Sequence, residues 1–198
     1  MTLSTPLSIG EACFDDFGWV AVAASERGLC HLAMQIDPAA FRTRFQGRAG
    51  EPGGLAEHTV SEALRQLGDY FGGRLHVFDL PIDWPTMRPF QQRVLQLTAA
   101  ISYGQVRTYG DLAQEIGDVG AARAVGRALA TNPIGIVLPC HRVVGADGGL
   151  HGFSAAGGLA TKAWLLRLEG HPIAGLRLLR PDVQPELPGL FTAAGQPN

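Results

Sequence analysis

Thr108-Tyr109-Gly110-Asp111-Leu112-Ala113-Gln114-Glu115-Ile116-Gly117, followed after Asp118-Val119-Gly120 by Ala121-Ala122-Arg123-Ala124-Val125-Gly126-Arg127-Ala128-Leu129, decides the fold of the C-terminal half. Thr108 with Asp111 three residues on gives a capping-box-like start, and Gly117 gives a stop, so a short helix runs from about Tyr109 to Ile116. A second begins near Gly120 and continues through Leu129. Two short helices around a tight glycine-containing turn make a helix-turn-helix candidate. The second helix is built from small residues, Ala121, Ala122, Ala124, Gly126 and Ala128. They allow close packing against the first helix, or close approach to an external surface.

Downstream, Asn132-Pro133-Ile134-Gly135-Ile136-Val137-Leu138-Pro139-Cys140-His141-Arg142 ends a short apolar run in a cysteine between a proline and a basic pair. A thiolate is the reactive form of cysteine, and neighbouring cations or hydrogen-bond donors favour it. His141 and Arg142 are the nearest candidates. Adjacent side chains on an extended segment point to opposite faces, so a direct Cys140–His141 contact needs a turn at Cys140 or a bridging water. Pro139 fixes its own φ and restricts Leu138, giving the cysteine a stiff approach. The residues alone leave two readings open, a nucleophile and an inert buried thiol.

Upstream, Phe17 to Ala23, Ser25-Glu26-Arg27-Gly28 and Leu29 to Met34 read as a hairpin. Val60, Leu64, Leu67 and Phe71 recur at helical spacing between about Glu57 and Phe71, and Gly72-Gly73 ends that helix. A strand-like Leu75 to Ile82 follows, then a proline-rich connector through Pro81, Pro85 and Pro89. Pro89 opens a helix with Phe90, Val94 and Leu97 on one face. Residues 1–87 thus read as a small α/β domain, 88–170 as a mainly α domain, and 171–198 as a loosely ordered tail.

The chain has 198 residues, is 46% hydrophobic and carries a net charge of −2. That balance argues against a nucleic-acid partner until it is divided: residues 1–87 hold six basic and eleven acidic groups, whereas 88–170 hold eight and five. Fifteen of the sixteen basic residues are arginine, which suits forked phosphate contacts and also suits a biased genome. Cys13, Cys30 and Cys140 are odd in number and without paired spacing, so no disulfide framework and no metal site is expected, and a reducing cytoplasm fits. Neither a leader pattern nor a run of membrane-spanning length is read, so no membrane association is expected.

Pro139-Cys140-His141-Arg142-Val143-Val144, with Asn132-Pro133 before it and Gly157-Gly158 and Lys162 after it, resembles the active-site signature of the O6-alkylguanine-DNA alkyltransferases, suicide DNA-repair proteins. The likeness continues in order through Pro89-Phe90-Gln91-Gln92-Arg93-Val94, Tyr103-Gly104, Thr108 to Ala113, Ala121 to Gly126, and Leu165-Leu166 with Glu169. It implies a ribonuclease H-like α/β N-terminal domain without a catalytic role and a mainly α C-terminal domain whose helix-turn-helix is winged-helix-like. It also implies a monomer that uses no cofactor and acts on double-stranded DNA containing O6-alkylguanine.

The same resemblance supplies roles. Cys140 accepts the alkyl group, activated through a water by His141, which Glu169 orients. Asn132 ties the recognition helix to the active-site segment, and Tyr109 assists flipping and donates to the leaving base. The second helix enters the minor groove with Arg123 as the finger filling the gap, Ala122 and Gly126 allowing approach, and Arg127 placed for a phosphate. Val143, Phe153 and Ser154 hold the base. Extrusion is needed because the lesion lies inside the stack. Two departures stand out: Phe153 replaces a common tyrosine, and Ala155-Ala156 forms a two-residue insertion beside the pocket. Three other readings are a non-reacting damage sensor, a helix-turn-helix regulator and a cysteine hydrolase.

Overall fold

A computed structural model describes residues 6–46, 48 and 54–179. It opens with an antiparallel meander of β1 (Ser8–Phe14), β2 (Gly18–Ser25) and β3 (Gly28–Met34), which contains the expected hairpin. Gly28 is required at the second turn: its φ is +130°, and a Cβ there would lie 2.3 Å from the Pro81 carbonyl oxygen. A short α1 (Pro38–Arg44), capped by the Asp37 side chain, follows. The long α2 (Gly54–Phe71) packs across all three strands. Its fully buried face runs through Val60, Ala63, Leu67 and Tyr70; Leu64 and Phe71, read on the same stripe, are partly buried and pack against the core beside it.

The stretch Leu75 to Ile82 is not a strand. Only Ile82 bridges to Leu29. The Gln66 side chain takes a sheet neighbour's place: its amide donates to the Asp79 carbonyl and its oxygen accepts from the Asp79 N–H, both at 2.9 Å. Pro81 has no N–H to offer a ladder.

The second unit begins at α3 (Pro89–Ala99), whose buried positions are Val94, Leu95 and Thr98; Phe90, expected on that face, is 41% exposed. A two-residue strand, β4 (Arg107–Thr108), leads into α4 (Tyr109–Ile116) through the complete Thr108–Asp111 capping box. Gly117 closes α4 in the left-handed conformation at φ 88°. A 3-10 turn at Val119–Ala121 leads into α5 (Ala122–Ala130), packed against α3 and α4. β5 (Val143–Val144) pairs in parallel with β4, and α6 (Gly158–Leu168) ends at Glu169. The segment after Gly170 is better ordered than its composition suggests. β6 (Ile173–Ala174) and β7 (Arg177–Leu178) form a hairpin with Leu178 buried; the rest of that tail lies outside the described residues.

The two units share one core. Val20, Leu67 and Tyr70 from the first are buried in the same cluster as Val94, Val125, Ile134, Leu138 and Leu165 from the second. The free edge of β3 is covered by the second unit: Leu32 donates its N–H to the Pro133 carbonyl at 2.8 Å, and Leu32 bridges Ile134. The segment leading to Cys140 is therefore held on the N-terminal sheet. Among the described residues no helix is long and apolar enough to cross a membrane.

Candidate active site

Cys140 begins a 3-10 turn, Cys140–Arg142, immediately after Pro139. The turn breaks the strict alternation of an extended segment, one of the two conditions the sequence set for Cys140 and His141 to work together. Asn132 fixes the approach: its Nδ2 donates to the Leu138 carbonyl at 2.8 Å, and its Oδ1 accepts from the Ile134 N–H at 3.0 Å. Buried Ile136 sits at φ 72°, a region a β-branched residue rarely occupies, so the segment is held by its surroundings against local preference.

His141 and Glu169 lie 2.8 Å apart, Nε2 to Oε1, with both side chains wholly buried. This pairing places the imidazole proton on Nε2 and leaves Nδ1 as an acceptor; Nδ1 is buried and has no partner among the described residues. Glu169 takes further donors: Arg142 Nε at 2.9 Å and Nη2 at 3.0 Å, the Gly104 N–H at 3.2 Å, and the Tyr70 hydroxyl at 2.7 Å. Burial by itself raises the Glu169 pKa, but the bonds and charges of His141 and Arg142 outweigh it and hold the carboxylate well below its usual range. This explains a carboxylate at a helix C-terminus, which the helix dipole disfavours.

Arg142 does not face the thiol. It is 5% exposed and spends its guanidinium on Glu169 and the Ile101 carbonyl. Burial pushes the Cys140 thiol up, and the Asn132 side chain and the Lys162 charge only partly oppose it. Burial likewise lowers His141, with Glu169 opposing. At neutral pH the shifts favour an uncharged thiol and a neutral imidazole over a preformed thiolate, so activation requires proton movement.

Lys162, known from the sequence only as part of the motif, is fully buried. Its Nζ donates to the Val143 carbonyl at 2.6 Å and to the His151 carbonyl at 3.0 Å, and lies 5.8 Å from the Tyr109 ring centroid. Burial lowers its pKa to about 8, opposed by the charge of Cys140. The Tyr109 hydroxyl also donates to the His151 carbonyl, at 2.8 Å, and burial raises its pKa to about 12. Lys162 and Tyr109 therefore fasten the same carbonyl. Val143, whose backbone the resemblance assigns to the base, has its carbonyl engaged by Lys162. No sequence signal at Lys162 beyond the motif foretells a buried cation.

Cys140, Asn132, Phe153 and Ser154 line one cavity of about 530 Å³. Ala155 and Ala156, the inserted pair, line it too, with Met34, Ile36 and Phe41 from the N-terminal unit. The loop is tied across the units by Thr161 Oγ1, 2.8 Å from the Ala156 carbonyl and 2.9 Å from Gln35 Oε1. The 3-10 turn and α5 sort their small residues by face. Ala121 and Ala128 are buried, as close packing requires, while Ala122 and Gly126 stay half-buried and Arg123 and Arg127 are exposed. Gly126 lies against Tyr109: a Cβ there would come within 3.8 Å of its ring. The Arg123 guanidinium has no hydrogen-bond or ion-pair partner among the described residues.

Two family descriptions match this chain: 6-O-methylguanine DNA methyltransferase, ribonuclease-like domain, over residues 16–84, and the DNA binding domain of the same methyltransferase over residues 89–171. The architecture is accordingly that of a two-domain protein with an N-terminal ribonuclease-like domain and a helical C-terminal DNA-binding domain. A methylated-DNA–protein-cysteine methyltransferase of Mycolicibacterium paratuberculosis is 45% identical over 156 residues, 76% of this chain and 92% of that one. The crystal structure of Mycobacterium tuberculosis O6-methylguanine methyltransferase superposes with TM-score 0.66 at 39% identity, covering 82% of this chain and 92% of that one. The M. tuberculosis protein in complex with DNA gives TM-score 0.67 at 38% identity, over 81% and 91%. The chain belongs to the 6-O-methylguanine DNA methyltransferase family.

Proposed function

We propose that this protein reverses alkylation damage directly, moving the alkyl group from O6 of guanine in duplex DNA, and more weakly from O4 of thymine, to the sulfur of Cys140. The observation that carries the reading is Cys140 opening onto a 530 Å³ cavity while the adjacent His141 is locked to buried Glu169. A water between Cys140 and His141 Nδ1 fits that buried, unpartnered acceptor. The thiol proton passes through it to His141 as the S–C bond forms and the C–O6 bond breaks. Glu169 stabilises the imidazolium so produced, in the manner of a triad with a solvent link. The thioether has no route back to thiol here, so each molecule acts once.

The α4–α5 pair serves as the helix-turn-helix of a winged-helix-like unit spanning residues 88–170, with α5 in the minor groove. Ala122 and Gly126 allow close approach there, and Arg127 meets a phosphate. Tyr109 donates toward the departing guanine once the base displaces its bond to His151. Exposed and unpartnered, Arg123 suits insertion into the stack. Arg123→Ala should slow repair in duplex about tenfold or more, the loss of part of the few kcal/mol that base extrusion costs, while repair of the free alkylated base changes less than about twofold by the same estimate. Equal slowing of both would remove the finger role.

Intact mass after incubation with a duplex bearing one O6-methylguanine tests the whole reading. One methyl per protein, mapped to the Cys140 peptide and saturating, is the expected result; tight lesion binding with no mass gain would move the protein to the damage-sensor class.

A further inference from the structure

The resemblance assigns the N-terminal domain no part in catalysis, yet one of its side chains reaches the relay. Tyr70, on the last turn of α2, is fully buried. Its hydroxyl donates to Glu169 Oε1 at 2.7 Å, and its oxygen lies 3.4 Å from His141 Nε2. The ring is held by Phe78 at 5.4 Å and Tyr103 at 6.1 Å between centroids. Resting on the relay reading above, we propose that Tyr70 is a positioning residue of the alkyl-transfer site, holding Glu169 Oε1 and the Nε2 side of His141 in register so that Nδ1 faces the water that serves Cys140.

The geometry separates this role from simple core filling. The phenol gives its proton to the carboxylate oxygen that His141 uses, and turns its own lone pairs toward the Nε2–H. When the thiol proton reaches Nδ1, both Tyr70 and Glu169 present negative density to the resulting imidazolium. Arg142 and Gly104 hold the carboxylate from other directions but do not touch the imidazole. The titratable and charged groups facing Tyr70 are Glu169, His141, Arg142 and Tyr103; the Lys162 and Arg142 charges act on His141 in addition to Glu169. Burial together with Glu169 keeps the phenol protonated far above neutral pH, so it serves as a fixed donor.

Tyr70→Phe removes the hydroxyl and keeps the ring. Single-turnover methyl transfer by the full-length variant, measured from pH 6 to 9, is expected to slow about three- to tenfold at neutral pH, the loss of one bond in a charged network. The deficit should shrink toward pH 9, where more abundant hydroxide competes with the relay as the base that takes the thiol proton. Affinity for the lesion duplex should stay close to the parent's, and the thermal midpoint should fall by no more than about a few degrees. A rate deficit independent of pH, or none, overturns the positioning role. His141→Gln is the companion measurement. If it slows transfer while Tyr70→Phe does not, the relay stands and Tyr70 is only packing; if His141→Gln is itself without effect, the relay fails and the Tyr70 role with it.

Discussion

Cys140→Ser should bind alkylated duplex with affinity within about threefold of the parent and accept no alkyl group, its single-turnover rate falling by about 10³-fold or more. The hydroxyl occupies nearly the same volume beside the cavity, and the α5 surface is untouched, so recognition survives. What disappears is the nucleophile. Burial raises the thiol and lowers the imidazole, but a thiol is intrinsically far more acidic and more nucleophilic than an alcohol, so serine has no comparable route to an anion. Sustained methyl transfer by the serine variant, read by intact mass, would overturn the assignment of Cys140.

The second large effect concerns stability. Arg142→Met should lower the unfolding free energy at pH 7 by about 3–5 kcal/mol, the usual consequence of stranding one member of a buried charge pair. Arg142 and Glu169 are 6% and 0% exposed in their side chains, so solvent screens the pair little. Methionine fills the volume but cannot neutralise the carboxylate, which keeps only Tyr70, His141 and the Gly104 N–H. The pH dependence checks the cause. Glu169 has a folded-state pKa depressed below its ordinary 4.5, so its stabilising contribution is present above 4.5 and is lost as pH falls toward the folded value. Without Arg142 that depression weakens. The gap between variant and parent in urea unfolding should therefore narrow as pH falls below 4.5. A loss under about 1 kcal/mol at pH 7 would show that the remaining donors suffice.

Local signals in the sequence translated well. Thr108, Asp111 and Gly117 form a cap, a box and a stop within ten residues, and α4 is bounded by them. The turn that Cys140 needed is supplied by the residues beside it, and Glu169, an odd carboxylate at a helix end, has the partner its position calls for. What could not be read were long-range substitutions of one structural role for another. Leu75 to Ile82 carries a strand's pattern, but the Gln66 side chain, thirteen residues earlier, satisfies Asp79 in place of a neighbouring strand. Arg142, beside Cys140 in sequence, faces a residue 27 positions away. Tyr70 meets Glu169 across 99 positions and looks like ordinary α2 core until the two domains are folded together. Lys162 gives no hint of burial, since its compensation comes from two backbone carbonyls rather than from a charged residue.

The way β3 carries the active-site segment limits how this protein can be recombined with its relatives. A Cβ at Gly135 would lie 2.7 Å from Met34 Cε, so the strand and the segment are fitted to each other at the cavity wall. Tyr70 and Glu169 form a second such fit, and Gln35 with Thr161 a third. A crossover placed in the proline connector, where the sequence invites a cut, separates the members of all three. Hybrids made there inherit a complete set of catalytic motifs, but their seam fits only where the incoming N-terminal domain supplies side chains equivalent to Met34, Gln35 and Tyr70.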